Sequence, residues 1–166
     1  MQITSNFDSG NIRVLDANDP TNIQLEIKKD HQSDFYQWFH FKLHNTNHVE
    51  HQLNIVNAGG AAYVEGWDDY QAVASYDRQS WFRVPTSYDG KTLSITFTPE
   101  YDSIYFAYFA PYSYERHQDL IHTAQLDIDC QLQVLGQTID GRDMSLLKIG
   151  EEGESKPVVW LTARQH

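Results

Sequence analysis

The sequence predicts a mainly β protein: an antiparallel β-sandwich followed by the first helix and strands of an α/β domain. Three observations carry that prediction. Apolar and polar residues alternate in four separate runs over the first hundred positions, clusters of Asn, Asp, Gly and Pro fall between the runs, and helical spacing of apolar residues begins only after Pro111.

Taken in order, Ile23, Leu25 and Ile27 form the first run, Phe39, Phe41 and Leu43 the second, Leu53 and Ile55 the third, and Leu93, Ile95 and Phe97 the fourth. A period of two puts each set on one face of a sheet and leaves the other face polar. The turns between them are Asn18-Asp19-Pro20, Asn45-Thr46-Asn47, Asn57-Ala58-Gly59-Gly60 and Tyr88-Asp89-Gly90-Lys91. Ile104 to Ala110 is apolar at nearly every position, the pattern of an interior strand.

After Pro111 the periodicity changes. Ser113 is a candidate cap for a helix from Tyr114 to about Leu126, with acidic Glu115 in its first turn and Leu120, Ile121 and Ala124 at helical spacing. Leu132–Val134 reads as a strand, Gly136 to Gly141 as a turn, Met144 to Ile149 as a second strand, and Val158-Val159-Trp160-Leu161 as a third after a charged loop. The predicted organisation is a sandwich over residues 1–111 and the beginning of an α/β domain over residues 112–166.

Composition narrows the function. Of the 166 residues 40% are apolar and 13% aromatic, enough to bury a core. A net charge of −11 without any Lys/Arg stripe repels phosphate backbones, which argues against a nucleic-acid partner. No stretch approaches the ~20 apolar residues of a membrane span, and the first residues lack a basic-then-apolar leader pattern. The single cysteine, Cys130, rules out an internal disulfide. A soluble, cytoplasmic protein is expected.

Candidate chemistry concentrates at the last residue. The run Val158–Leu161 leads through Thr162-Ala163 into Arg164-Gln165-His166, and open α/β sheets hold their sites outside the carboxyl ends of their strands. His166 is thus either a candidate metal ligand or, taken on its own residues, a solvent-exposed C-terminal histidine. His40, His44, His48 and His51 are close in sequence, but they fall on a strand and a turn, which scatters them. The stretch Glu65-Gly66-Trp67-Asp68-Asp69-Tyr70 lacks the ligand spacing of a calcium loop and reads as surface. Ser75, Ser80, Ser87 and Cys130 have no activating partner in the sequence, so covalent catalysis has no support and no catalytic residue is assigned within the chain. Trp38, Trp67 and Trp81 read as packing residues in preference to a carbohydrate platform. Arg142 is either a clamp that holds the hairpin near the active-site strand or an ordinary exposed turn arginine.

Six blocks in order carry a resemblance: Phe7-Asp8-Ser9-Gly10-Asn11, Trp38-Phe39 with Phe41, Trp81-Phe82-Arg83-Val84-Pro85, Phe106 through Ser113, Gly136 through Arg142, and Ala163-Arg164-Gln165-His166. Together they resemble the cytosolic carboxypeptidases, a zinc-dependent branch of the carboxypeptidase A superfamily. The resemblance implies that a β-sandwich precedes a catalytic α/β domain, that the cofactor is Zn2+, and that His166 is its first ligand. It also implies hydrolysis at peptide or protein C-termini, acidic ones among them, by a zinc-activated water and a carboxylate base. The second histidine, the acidic ligand, the substrate-binding arginines and the base would lie beyond residue 166, so these 166 residues are expected to be inactive alone. The alternative reading is a free-standing β-sandwich that binds a ligand or a protein partner, with residues 112–166 as an extension.

Overall fold

Two five-stranded sheets share one core in the computed structural model, which describes residues 1–161 apart from 47, 152, 154 and 155. The first sheet contains β1 (Gln2–Thr4), β4 (His40–His44), β10 (Ser103–Ala107), β6 (Val73–Ser75) and β7 (Phe82–Arg83), in that spatial order. The second contains β2 (Arg13–Asp16), β3 (Ile23–Glu26), β5 (His51–Ile55), β9 (Leu93–Phe97) and β8 (Thr86–Tyr88). All ladders are antiparallel except β3 with β5, which run parallel because the chain visits β4 of the other sheet between them.

The alternation seen in the sequence selects the core. Phe41 and Leu43 of β4 and Ile104 and Phe106 of β10 are fully buried, as are Ile23 and Leu25 of β3, Leu53 and Ile55 of β5, and Leu93 and Ile95 of β9. The intervening Lys42, Gln24 and Ser94 lie partly exposed on the opposite faces. β10 is the middle strand of its sheet, as its apolar run predicts, although Tyr105 on its outer face is half-buried rather than core.

Loops are fastened by polar side chains. The Asn57 side chain accepts from the Ile27 amide at 3.0 Å and donates to the Ile27 carbonyl at 2.9 Å, extending the β3–β5 pairing by side chain after backbone pairing ends with Val56 N–H to Leu25 O. A 3-10 turn over Val64–Trp67 drops the Trp67 indole into the core, where its Nε1–H donates to the Ala58 carbonyl at 3.0 Å and its ring meets Tyr70 and Tyr108 edge-on.

The chain divides into two compact units, Met1–Ser113 and Tyr114–His166. In the second, helix α1 (Tyr114–Ala124) precedes an antiparallel hairpin of β11 (Cys130–Gln137) and β12 (Asp143–Ile149). The helix stops short of the predicted Leu126; its end tightens through Leu126 N–H to the Thr123 carbonyl, and Leu126 is exposed. β11 is longer than predicted: after a bulge at Leu135 it takes in Gly136, which pairs with Met144, so the turn begins at Thr138. The predicted strand over Val158–Leu161 does not form, and its side chains are 72% to 92% exposed. Apolar character favours a strand only where a neighbouring strand offers its hydrogen-bonding edge, and no described residue pairs with this segment.

Candidate functional site

His166, the candidate metal ligand, lies outside the described residues. What leads toward it is described: β12 and the segment Pro157–Trp160 border an open, largely apolar recess of ≈ 460 Å³, lined also by Leu146, Leu147 and Ile149. At the other end of the hairpin the Arg142 guanidinium sits 4.7 Å from the centre of the Tyr114 ring, tying the β11–β12 turn to the start of α1. Arg142 itself is exposed, and this contact is with the helix and not with the Val158–Leu161 segment.

Among the described residues no group of three or more His, Cys, Asp or Glu side chains is placed to hold a metal ion. His40 and His44 stand at opposite ends of β4, His48 lies in the following turn and pairs with Asp102 at 3.4 Å, and His51 opens β5. Asp68 and Asp69 are exposed beside a polar recess of ≈ 590 Å³ bounded by Tyr70, Thr86 and Tyr88, and the Trp67 between Asp68 and the rest of its turn is a core residue. Ser75 is buried and bonds Asp77 within its own turn, with no histidine near it among its bonded partners.

The residues that converge most closely are those of the first three resemblance blocks. The Phe7–Asn11 loop folds over the outer face of β4 and is fixed at several points. Trp38 Nε1–H donates to the Ser9 carbonyl at 2.7 Å, the Asn11 side chain donates to the carbonyls of Trp38 and Lys28, and Asn11 exchanges two backbone bonds with His40. Ser9 has a φ of 63°, and a Cβ on Gly10 would collide with the Ser5 carbonyl, so this path suits few other sequences.

Beneath the loop lies His40, 2% exposed. Its Nδ1 is 3.0 Å from the Ser9 hydroxyl, and its Nε2 has no hydrogen-bond partner among the described residues. The rings of Phe7, Trp81, Tyr105 and Trp38 surround it at centroid distances of 4.8, 5.7, 6.0 and 6.1 Å. Burial, reinforced by the Arg78 guanidinium, lowers its pKa to about 4 against a partial counterweight from Asp8. Sequence reasoning missed this histidine. Period two puts His40 on the outer, polar face of β4; it is buried by a loop thirty residues away, for which no local pattern exists.

Residues 3–109 match the family model of the cytosolic carboxypeptidase N-terminal domain. The chain belongs to the cytosolic carboxypeptidase family. An uncharacterized protein of Zymomonas mobilis is 46% identical over the whole of this chain and 43% of its own length, and mouse cytosolic carboxypeptidase 6 is 29% identical over 96% of this chain and 34% of its own. The metallo-carboxypeptidase of Burkholderia cenocepacia superposes with a TM-score of 0.90 at 46% identity, covering 94% of this chain and 41% of that one. That of Pseudomonas aeruginosa, solved in complex with (2-guanidinoethylmercapto)succinic acid, has a TM-score of 0.87 at 46% identity over 93% of this chain and 42% of its own. The chain thus spans less than half the length of these family members. Its sandwich is the N-terminal domain of that family.

Proposed function

We propose that these 166 residues are the front part of a zinc-dependent metallocarboxypeptidase, that residues 112–166 open its α/β catalytic domain, and that His166 is the first zinc ligand. The whole enzyme removes C-terminal residues, acidic ones among them, from peptides or proteins in the cytoplasm. The observation that carries this reading is the extent of the structural match: it covers 93% to 94% of the chain, reaching well past residue 109, and continues into metallo-carboxypeptidases more than twice as long. The exposed Val158–Leu161 segment and the open apolar recess beside β12 are what a sheet lacking its neighbours presents.

The described residues do not form a metal site, and one histidine cannot hold a catalytic zinc, which takes about three protein ligands. The remaining ligands belong to the part of the family members that this chain does not span. The test is a graft in which residues 1–166 replace the equivalent front part of the Burkholderia cenocepacia protein. It should release the terminal amino acid from blocked dipeptides and stop when a chelator is added. A folded graft that cleaves none of a panel with acidic, basic and apolar C-terminal residues would sink the reading.

A further inference from the structure

His40 combines three properties that a purely structural histidine does not need together. It is 2% exposed, one ring nitrogen has no hydrogen-bond partner among the described residues, and its cover is a thin loop instead of another sheet. The neutral ring suits this setting as the tautomer whose Nδ1–H donates to the Ser9 hydroxyl and whose bare Nε2 lies among aromatic rings. The protonated ring does not, because it must bury an N–H donor that no acceptor meets. The groups facing it are Arg78, which opposes a second positive charge, Asp8, which favours one, and the Tyr105 ring, already flanked by Lys42 and Arg78 at 5.2 and 5.6 Å.

A charged ring here requires water, and water has one inexpensive route. β4 is paired on both sides, by β1 and β10, and its other face is the core, so the sheet cannot open without losing the sandwich. The Phe7–Asn11 loop is held by the few bonds described above, and it rests on a left-handed Ser9 whose conformation is favourable only while those bonds last. We propose that His40 is an acid-operated latch: with its ring neutral it holds the Phe7–Asn11 loop on the sheet, and with its ring protonated the loop lifts and uncovers Phe7, Trp38 and Trp81.

Amide hydrogen exchange on the full 166-residue chain tests this, read at Gly10 and Asn11, whose N–H groups bond Phe7 O and His40 O, and at Phe106 in the core. After correction for intrinsic exchange, the loop opening constant should rise about tenfold per pH unit from 6.5 downward and level off near 4, about 300-fold in all. In His40→Asn, whose amide N–H can still donate to the Ser9 hydroxyl but does not titrate, the loop should show no such rise. Arg78→Ala, an exposed change that removes the opposing charge from the closed state, should make the rise level off at a higher pH and reduce its total. The proposal is overturned if Gly10 and Asn11 open only as often as Phe106 at every pH, since the loop would then leave only on global unfolding. It is equally overturned if His40→Asn keeps the wild-type dependence, or if Arg78→Ala makes the rise level off at a lower pH.

Discussion

Replacing Asn57 with Ala should destabilise the sandwich far more than a half-buried loop residue ordinarily would. Its side-chain amide is the sole described partner of both polar groups of Ile27, a residue 2% exposed, with bonds of 3.0 and 2.9 Å. Alanine leaves one N–H and one C=O unpaired beside the core. At about 1 to 1.5 kcal/mol for each group lost at a partly buried site, the cost is about 2.5 kcal/mol. In a unit of this size that lowers Tm by roughly 10 °C. Urea denaturation followed by tryptophan fluorescence measures it directly, with an unchanged m-value expected. Asn57→Asp sharpens the test, because a carboxylate can accept from the Ile27 amide but presents a second oxygen to the Ile27 carbonyl, so it should be no better than alanine. A loss below about 0.5 kcal/mol for Asn57→Ala, or wild-type stability for Asn57→Asp, would refute the reasoning.

Trp67→Phe removes the bond to Ala58 and opens a void against Tyr70 and Tyr108, and should cost about 2 kcal/mol in the same urea experiment. Gly10→Ala forces a methyl into the Ser5 carbonyl and should cost about 1 to 3 kcal/mol, with disturbed amide shifts confined to residues near the Phe7–Asn11 loop. Stability should fall on the acid side: the folded pKa of His40 lies near 4 and its unfolded value near 6.5, so the unfolded chain takes up the proton first, stability is complete above pH 6.5, and about 3 kcal/mol is lost on the way to pH 4. Burial lowers the pKa of His51 as well, which adds a loss of the same sign. Urea midpoints at pH 7.5, 6, 5 and 4.5 check this, and a midpoint that rises on acidification would contradict it.

The strands of the sandwich were legible because one face of each is wet and the other dry. Ile23, Leu25, Phe41, Leu43, Leu53, Ile55, Leu93 and Ile95 all follow that alternation into the core. Pairing was not legible, since the parallel contact of β3 with β5 depends on where β4 goes, and nothing within either strand encodes it. The hairpin of β11 and β12 was found from its turn residues and the helix from its spacing, while Val158–Leu161 misled because hydrophobicity does not say whether a partner strand is at hand. For the site, the ordered family blocks pointed to the metallocarboxypeptidases when no single residue could. His40 escaped notice for the opposite reason: its importance comes from contacts with Ser9, Phe7 and Trp81, all distant in sequence.

The claim that His166 ligates the catalytic zinc is tested most directly by metal content. The graft of residues 1–166 onto the remaining part of the Burkholderia cenocepacia metallo-carboxypeptidase, purified without added metal and analysed by mass spectrometry, should carry about one zinc per chain, and His166→Ala should lose most of it, as the removal of one of about three ligands demands. A folded His166→Ala graft that keeps its full zinc would contradict the account.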